Sequence, residues 1–381
     1  MKITQLALII FLLFISSAFS QTDNNIELVL QSNFNSDTIK NRLERLNAKT
    51  PIELFFTPSV EKTIKRYLKT RIEFYRNNID KISFYLPLFE EHLQNKQIPK
   101  EIKYLPIIES QLDPSAVSRV GATGLWQFMF YTALENGLTM NSYIDERMDP
   151  QKSTVAAALY LSKLYLIHND WNLVLASYNA GPRTISRAKT KSGGYTNYWN
   201  MRPFLPSETA NYIPSFIATM YILEYSKEHG IDLDKSEKPI LKTEKIIVKE
   251  KIAFEHISDF FQYSKDSIKS LNPSYIHNII PADGKNKLRL PIELVDRFVM
   301  QEEEFYSFAK AEFEKREKPL PDLYSIDSKL IYKVKYGEFL GKIARKFGIK
   351  VSDLKRWNNL KSDNIRENQK LIIFPKRIPK N

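Results

Sequence analysis

One glutamate, Glu109, follows directly on a run of regularly spaced apolar residues. Those residues recur at steps of four, three and three from Ile98 to Ile108, as in an amphipathic helix. Glu109 comes four residues after Leu105, so it falls on the apolar side if the helix continues past Pro106. Apolar surroundings disfavour the charged form of a carboxyl group and raise its pKa. Such an acid can donate a proton to a leaving oxygen near neutral pH; the alternative is an ordinary solvated glutamate.

A loop rich in small residues follows Glu109 and ends in an aromatic residue and an amide. The stretch Gly121-Ala-Thr-Gly124-Leu-Trp126-Gln127 has two glycines, which allow tight turns and close approach of the backbone to a ligand. Gln127 has donors and an acceptor that suit sugar hydroxyl or acetamido groups. Trp126 would either stack on a sugar or fill the core, and we favour the core.

Two further segments carry polar groups at predicted helix ends. Tyr178 and Asn179 precede the helix stop at Gly181. Glu208 and Tyr212 are four residues apart, on one face of a later helix. Each residue taken singly suits a structural role, but polar groups and aromatics clustered at helix ends are typical of a carbohydrate-binding groove.

Helices are predicted to position these residues. The apolar spacing is helical from Ile52 to His92, with a break at Asn77-Asn78 and a kink or boundary at Pro87. Asp149-Pro150 is a helix start, and Ser207 is expected to cap a helix that runs to about Lys227. Between the helical region that ends at His92 and the helix start at Asp149, Asp113-Pro114 is expected to end the helix that carries Glu109.

The last third of the chain contains an internal repeat. At a constant offset of 86, Val248 pairs with Val334, and the same offset relates later apolar positions and one asparagine. Each copy is predicted to fold as strand, helix, helix, strand. The paired positions are Ile257 with Ile343, Phe261 with Phe347, Ile268 with Leu354, and Asn272 with Asn358.

Composition limits the class of protein. The 381 residues are 43% hydrophobic, which excludes a disordered chain, and no cysteine is present for disulfides, thiolate metal sites or a cysteine nucleophile. The net charge of +12 suits either a soluble lysine-rich surface or attraction to a polyanion. No nucleic-acid-binding signature accompanies the charge, so we expect no nucleic-acid partner. An acidic cell-wall polymer fits it equally well.

Residues 1–20 have the pattern of a secretory signal peptide. Lys2 precedes the apolar run Leu6–Ile15, which is too short to span a bilayer as a helix, and small residues around Ala18 suit cleavage before Gln21. The alternative is a membrane anchor. We expect an exported protein with no integral membrane segment after cleavage, located in the periplasm or cell envelope.

The motifs together resemble a known family. The pattern ES-x₃-P-x-A-x-S-x₂-GA-x-GLWQFM, then YNAG, then ET-x₂-Y, is similar to the lytic transglycosylase catalytic domain of the lysozyme-like superfamily, and most to the membrane-bound lytic murein transglycosylase D group. Residues 331–375 resemble a LysM module. Residues 246–291 resemble a degenerate one, because Lys251 stands opposite Gly337. The implied fold class is a mainly α lysozyme-like catalytic domain followed by small α+β (βααβ) LysM modules.

The resemblance and the composition shifts together predict the domain organisation. The expected parts are a signal peptide (1–20), a poorly ordered lead-in (21–48), a transglycosylase domain with a helical N-terminal extension (49–230), a linker (231–245), a degenerate LysM-like module (246–291), a helical spacer and hinge (292–330) and a LysM module (331–376).

The resemblance also implies the chemistry. Glu109 would serve as the single acid and base, cleaving the β-1,4 bond between N-acetylmuramic acid and N-acetylglucosamine in peptidoglycan. The sugar's own 6-hydroxyl would close a 1,6-anhydro ring, so no water, metal or cofactor is required. Substrate binding would fall to Ser118, Gln127, Tyr178, Asn179, Glu208 and Tyr212.

Other functions stay open at this point. A hydrolytic muramidase would use a second carboxylate, for which Asp113 is the nearby candidate. A catalytically inactive wall-binding protein would keep only the sugar-binding modules. Three departures from the family pattern are Phe130 in place of a proline, Ser177 in place of an alanine, and the missing lipid-anchor cysteine. We expect a monomer whose partner is the peptidoglycan glycan strand.

Overall fold

A computed structural model describes residues 35–235, 242–282, 284–316, 320, 330–358 and 360–373. The predicted signal peptide lies outside these residues. Up to residue 235 the described chain is helical, with three-residue and five-residue 3₁₀ turns between some helices. The helices are α1 (Ser36–Asn47), α2 (Pro58–Thr70), α3 (Ile72–Asn77), α4 (Ile79–Gln94), α5 (Leu105–Ser110), α6 (Phe130–Glu135), α7 (Pro150–His168), α8 (Trp171–Ala180), α9 (Pro182–Lys191), α10 (Tyr198–Met201) and α11 (Ser207–Glu224).

The part of the chain from residue 242 onward mixes short strands with helices. Three two-stranded antiparallel sheets pair β1 with β4, β2 with β3, and β5 with β6. The elements are β1 (Thr243–Ile247), β2 (Ile252–Ala253), α12 (Phe254–Phe261), α13 (Lys265–Leu271), β3 (Ile279–Ile280), β4 (Lys287–Pro291), α14 (Ile292–Met300), α15 (Glu302–Glu314), β5 (Leu330–Lys333), α16 (Leu340–Phe347), α17 (Val351–Trp357) and β6 (Lys370–Ile373). The expected fold class, a mainly α domain followed by small α+β modules, is confirmed.

The described residues form two compact units. The first unit comprises the residues up to Ser83 and those from Leu164 to 235, and in it α11 packs against α2 and α8. Most side chains of α11 are buried, including the rings of Phe216 and Tyr221. Burial of large apolar side chains at about 25 cal/mol per Å² is the main force that holds such a bundle together.

The second unit comprises Phe84–Lys163 and the residues from 242 onward. One core cluster joins the first repeat copy, residues 243–291, to the two helices that follow it. Leu294 and Phe298 of α14 and Phe305 of α15 are buried with Phe261 in this cluster. The second repeat copy, residues 330–373, has its own core around Ile343, Phe347 and Leu354.

The two copies are locked by the same asparagine contact. Asn272 Nδ2 donates to the carbonyls of Ile268 and Arg289, both at 2.8 Å, and Arg289 N donates to its Oδ1. In the second copy, 86 residues on, Asn358 Nδ2 donates to the carbonyls of Leu354 (2.8 Å) and Ile372 (2.7 Å), and Ile372 N donates back. The predicted repeat is therefore confirmed at the level of individual bonds.

The order predicted near the N-terminus needs one correction. Residues 36–47, the second half of the predicted lead-in, form the ordered helix α1, which Asn35 caps through bonds from the amides of Asp37 and Thr38. Ile39 and Leu43 lie one turn apart and are buried. The apolar spacing is short and lies among polar residues, which is why the sequence pattern was too weak to indicate this helix.

Two helix starts differ from the expected ones, and Pro87 is not a boundary, which leaves the kink as the expected alternative. The helical region predicted from Ile52 begins at Pro58, and Pro87 lies inside α4 without ending it. The N-cap of α11 is Pro206, so Ser207 is the first helical residue. By contrast, Asp149 caps α7 as expected, because its Oδ1 accepts from the amides of Gln151 and Lys152 at 2.9 Å.

Candidate active site

Glu109 lies in the last turn of a short helix rather than on one continuous helix. Residues 100–104 form a 3₁₀ helix, and α5 begins at Leu105 with Pro106 in its first turn, where the missing N–H costs nothing. The helix thus continues past Pro106, as the interpretation of Glu109 required, but the apolar stripe is divided between a 3₁₀ helix and α5. Ile98, Ile102 and Leu105 of that stripe are buried. Glu109 itself is half-buried.

The helix that carries Glu109 ends in an unusual backbone turn. Gln111 and Leu112 both have φ in the left-handed region, at 54° and 59°, where residues other than glycine are strained. The chain turns here into the segment we call the site loop, residues 111–128. Strain of this kind is concentrated at functional sites, because the surrounding structure must hold it in place.

Ser110 ties the end of α5 to the site loop. This buried side chain lies next to Glu109, and its hydroxyl is 3.0 Å from two carbonyl oxygens, those of Pro106 and Leu125. The position of Glu109 relative to the loop is thus fixed by its neighbour. Ser110 was not among the predicted site residues, although a small polar residue immediately after an acid on an apolar stripe was an available signal.

Ser118 lies in a tight turn of the site loop. Its amide donates to the Ala122 carbonyl at 2.8 Å, and its Oγ accepts from the Ala122 amide at 3.0 Å. Gly121 closes the turn with φ of 91°. Because Oγ already accepts a bond from the backbone, the hydroxyl hydrogen is the group that Ser118 can still offer to a ligand.

Gln127 can offer less than its residue type suggests. Its Nε2 donates to the carbonyls of Gly124 at 2.9 Å and Ala116 at 3.3 Å, so both amide hydrogens are used to brace the loop. Its φ of 47° places it in the left-handed region. Within the described residues, Oε1 accepts no bond, which makes Gln127 an acceptor for an N–H or O–H of a ligand.

Trp126 belongs to the core, as the sequence analysis favoured. The side chain is fully buried, its Nε1 donates to Thr154 Oγ1 at 2.9 Å, and its ring packs edge-on against Phe89. It therefore anchors the loop between its neighbours and does not present a surface for sugar stacking.

Asp113, the candidate second carboxylate, is used as a turn cap. Its Oδ1 accepts from the amide of Ser115 at 2.8 Å and from its hydroxyl at 2.7 Å. Its charge, together with burial as the larger cause, raises the pKa of Tyr85 to about 12. Tyr85 is therefore a neutral phenol at any physiological pH.

The remaining predicted site residues lie in the first unit, at the facing ends of α8 and α11. Asn179 Nδ2 donates to Glu208 Oε1 at 3.3 Å, and Asn179 Oδ1 accepts from Thr209 Oγ1 at 2.8 Å. The amide orientation of Asn179 is thus set by two neighbours, while Glu208 is exposed. Thr209 was missed by the sequence analysis, since only the fold brings it to Asn179.

The two tyrosines differ in burial. Tyr178 is half-buried beside Asn179, and Tyr212, one turn after Glu208, is 6% exposed. The site residues therefore form two groups: Glu109, Ser118 and Gln127 in the second unit, and Tyr178, Asn179, Glu208 and Tyr212 in the first. Within the described residues, no cluster of three or more histidine, aspartate or glutamate side chains is arranged to hold a metal.

Comparison with known families gives the class of the domains. Residues 87–200 match the transglycosylase SLT domain, residues 242–307 match the LysM-like domain of the lytic transglycosylase MltD, and residues 332–374 match the LysM domain. The chain thus carries an SLT domain followed by two domains of LysM type, and the resemblance inferred from the motifs is confirmed. The first LysM-type match extends past residue 291 into α14 and α15, in agreement with their shared core.

Individual proteins are similar to parts of this chain. The chain is 29% identical to membrane-bound lytic murein transglycosylase D of Escherichia coli strain K12, over 74% of this chain and 61% of that protein. It therefore spans less than two thirds of that relative's length. It is 31% identical to a putative tributyltin chloride resistance protein of Alteromonas, over 28% of this chain and 55% of that protein. Among solved structures, it is similar to the 70 kDa soluble lytic transglycosylase of Escherichia coli, with 23% identity, 45% of this chain and 31% of that one covered, and a TM-score of 0.34.

Proposed function

We propose that this protein is a peptidoglycan lytic transglycosylase that cleaves the β-1,4 bond between N-acetylmuramic acid and N-acetylglucosamine. The observation that carries the proposal is the placement of Glu109 inside the matched SLT domain, half-buried at the end of α5 and tied through Ser110 to an ordered loop. An acid held beside a rigid loop of polar groups is suited to proton transfer at a bound sugar.

In the proposed reaction Glu109 acts twice. As an acid it gives its proton to the bridging oxygen, and the bond from that oxygen to the anomeric carbon of N-acetylmuramic acid breaks. As a base it then takes the proton of the same sugar's 6-hydroxyl, whose oxygen forms the new bond to the anomeric carbon. The glutamate ends protonated, as it began, and no water enters the balance.

The other site residues have bonding capacity that suits substrate. The Ser118 hydroxyl can donate, and Gln127 Oε1 can accept from a sugar hydroxyl or an acetamido N–H. In the first unit, Asn179 is oriented by Thr209, and we assign Tyr178, Asn179, Glu208 and Tyr212 to substrate binding. Two carboxylates at Glu109 and Asp113 would favour hydrolysis, but the cap role of Asp113 supports the single-acid scheme.

We propose a cell-envelope location and binding of glycan strands through the LysM module. The LysM match at 332–374 supports the second point, and the wall polymer as substrate supports the first. None of the helices in the described residues combines the length and apolar character of a transmembrane span. We further propose that the protein acts as a monomer in the periplasm after removal of residues 1–20.

Product analysis tests the proposed reaction. Purified sacculi are digested with the protein, and the soluble fragments are analysed by mass spectrometry. Fragments that end in 1,6-anhydro-N-acetylmuramic acid are expected. Fragments heavier by one water, with reducing ends, would establish a hydrolytic muramidase instead, and the absence of any fragments would favour a wall-binding protein without activity.

Glu109→Gln is the matched inactive variant for this assay. The amide has the shape of the acid but cannot donate the proton, so release of fragments should fall at least about 1,000-fold. Retention on sacculi should be unchanged, because the LysM module is untouched. Cleavage at more than about a tenth of the wild-type rate would rule out Glu109 as the acid.

A further inference from the structure

A buried arginine holds both ends of the part of the site loop that contains Gln127. Arg147 is 2% exposed, and its Nη1 donates to the carbonyls of Gly121 at 3.0 Å and Phe128 at 3.2 Å. Its Nε and Nη2 donate to the two carboxylate oxygens of Asp145, at 2.9 and 2.7 Å. All three guanidinium nitrogens are therefore bonded, and the planar fork fixes the loop more rigidly than a point charge would.

The backbone of the same segment lies directly under the loop. A Cβ at Gly124 would be 1.9 Å from the carbonyl oxygen of Arg147. The two backbone segments are therefore in contact, with no room for a side chain at Gly124. We call residues 139–148 the buttress segment. It touches the site loop through the Arg147 guanidinium and through the Arg147 backbone.

The buttress segment is in turn paired with the first repeat copy. Asp145 N donates to the Ser274 carbonyl at 2.8 Å, and Ile276 N donates to the Tyr143 carbonyl at 2.9 Å. Ile144 forms an antiparallel bridge with Tyr275. A continuous series of bonds thus runs from the first copy through Asp145 and Arg147 to the site loop.

The apolar core crosses the same boundary. Tyr143 and Ile144 are buried in the core cluster of the first copy, with Phe254, Ile280 and other residues of its strands and helices. The buttress segment is therefore packed against the core of this domain. Its position depends on the first copy being folded.

The exposed aromatic residues of the second copy have no aromatic counterpart in the first copy. In the second copy the turn at 335–339 exposes Tyr336 (86%) and Phe339 (58%), and the equivalent positions in the first copy are Glu250 and Ala253. Exposed aromatic rings are the groups that stack on sugars, and the first copy has neither at this turn.

Helix α15 contacts that turn in the first copy, although the side chains of Lys249, Glu250 and Lys251 stay exposed. Lys249 N donates to the Tyr306 hydroxyl at 2.9 Å, and Lys249 Nζ pairs with Glu302 at 2.6 Å. The Lys251 ammonium lies 4.7 Å from the ring centre of Phe313. In the first copy this turn is thus held against the protein's own helix and carries charged side chains, whereas the second copy carries aromatic rings there.

We propose that the first LysM-type domain is a positioning element of the active site rather than a glycan-binding module, and that Arg147 is the positioning residue through which it acts. This inference rests on the proposed function of the site loop in substrate binding. Displacement of the loop by about 1 Å would move Ser118 and Gln127 off the substrate and lower turnover by roughly 10- to 100-fold.

Three variants of the full-length protein separate positioning from stability. Arg147→Lys keeps the charge but loses the fork that reaches both carbonyls. Ile144→Ala loosens the buttress segment on the first copy and leaves every bond of Arg147 in place. Phe298→Ala is the matched control, since it removes a large side chain from the same core but away from the buttress segment.

Two readouts are measured well below the melting temperature of each variant. The first is the initial rate of fragment release against sacculus concentration. Arg147→Lys and Ile144→Ala should lower kcat at least about tenfold, while Phe298→Ala should stay within about twofold of wild type. The second is hydrogen exchange of the amides of 121–128, which should be at least about tenfold faster in the first two variants only.

The outcomes are distinct. Unchanged loop protection in Arg147→Lys and Ile144→Ala, or activity losses in all three variants that follow their melting temperatures, would overturn the positioning role. If the wild type releases no fragments, the proposed function fails, and the exchange data still decide whether the first copy holds the loop.

Discussion

At the scale of single residues, the site depends on which polar atoms the protein itself uses. Gln127 donates both amide hydrogens to carbonyls of the loop, and the Ser118 hydroxyl accepts a bond from the amide of Ala122. Each keeps one bonding direction that a ligand could use. Asn179 is held from both ends of its amide. Residue type alone would have assigned all of these atoms to the ligand.

Two buried serines provide a test of how much a buried hydroxyl contributes. Ser177 Oγ is buried with no hydrogen-bond partner among the described residues, whereas Ser110 Oγ reaches two carbonyls. Ser177→Ala should raise stability by about 1 kcal/mol, because an unsatisfied buried hydroxyl is costly. Ser110→Ala should lower it by about 1 kcal/mol. Thermal melts of both variants check the opposite signs, and equal effects would contradict the assignment.

At the scale of elements, the contact between the site loop and the buttress segment leaves no room for a side chain at Gly124. Gly124 combines a φ of +84° with a backbone oxygen 1.9 Å from any added Cβ. Gly124→Ala should destabilise the protein by at least about 3 kcal/mol, because both backbone strain and overlap oppose it.

Gly137 is the matched control for that substitution. Its φ is +87°, but an added Cβ would meet nothing within 4 Å. Gly137→Ala should therefore cost only about 1 kcal/mol, the backbone term alone. Chemical denaturation of both variants measures the difference, and similar losses would show that the overlap at Gly124 relaxes cheaply.

How much of this could be predicted from the sequence depended on whether the signal was local. The caps at Asp149 and the core role of Trp126 follow from neighbours in the chain, and the repeat follows from a constant offset. Ser110 and Arg147 were not found, because their partners lie 15 to 26 residues away and are chosen by the fold. An arginine two residues after an aspartate, Asp145, was the available hint.

At the scale of the whole molecule, one buried histidine makes stability depend on pH. His229 is 5% exposed, neither ring nitrogen has a hydrogen-bond partner among the described residues, and its ring lies against Tyr221. Burial, with the nearby Arg42 guanidinium, lowers the pKa of His229 to about 4. Tyr225 and Glu228 are further titratable groups in the segment just before His229.

The sign of the pH effect follows from that depressed pKa. Between the ordinary histidine pKa of about 6.5 and about 4, the unfolded chain binds a proton that the folded one does not, so stability falls as pH is lowered through this window. The loss is at most about 3 kcal/mol. His229→Phe should flatten the change in melting temperature between pH 7 and pH 4.5, and an unchanged slope would assign the acid sensitivity to other groups.

Wall binding is expected to depend on the last domain. Removal of residues 331–381 should weaken retention on sacculi. Because Tyr336 and Phe339 are exposed, replacing both with alanine should reproduce the loss without unfolding the domain. Retention is measured by pelleting with sacculi at fixed salt, since the net charge of +12 also attracts an acidic polymer. Undiminished pelleting of both variants would contradict glycan binding by this domain.

The asparagine lock has a consequence for how such repeats are interpreted. Asn272 and Asn358 make the same three bonds, although the turn contacts α15 in one copy and exposes two aromatic rings in the other. The residues that close the fold are thus separate from those that are exposed at the turn. A domain of this type can therefore lose ligand binding and keep its fold. The asparagine contact indicates a shared fold, but it does not report the affinity for a ligand. In a related chain, the residues exposed at this turn are therefore a better guide to ligand binding than membership of the family.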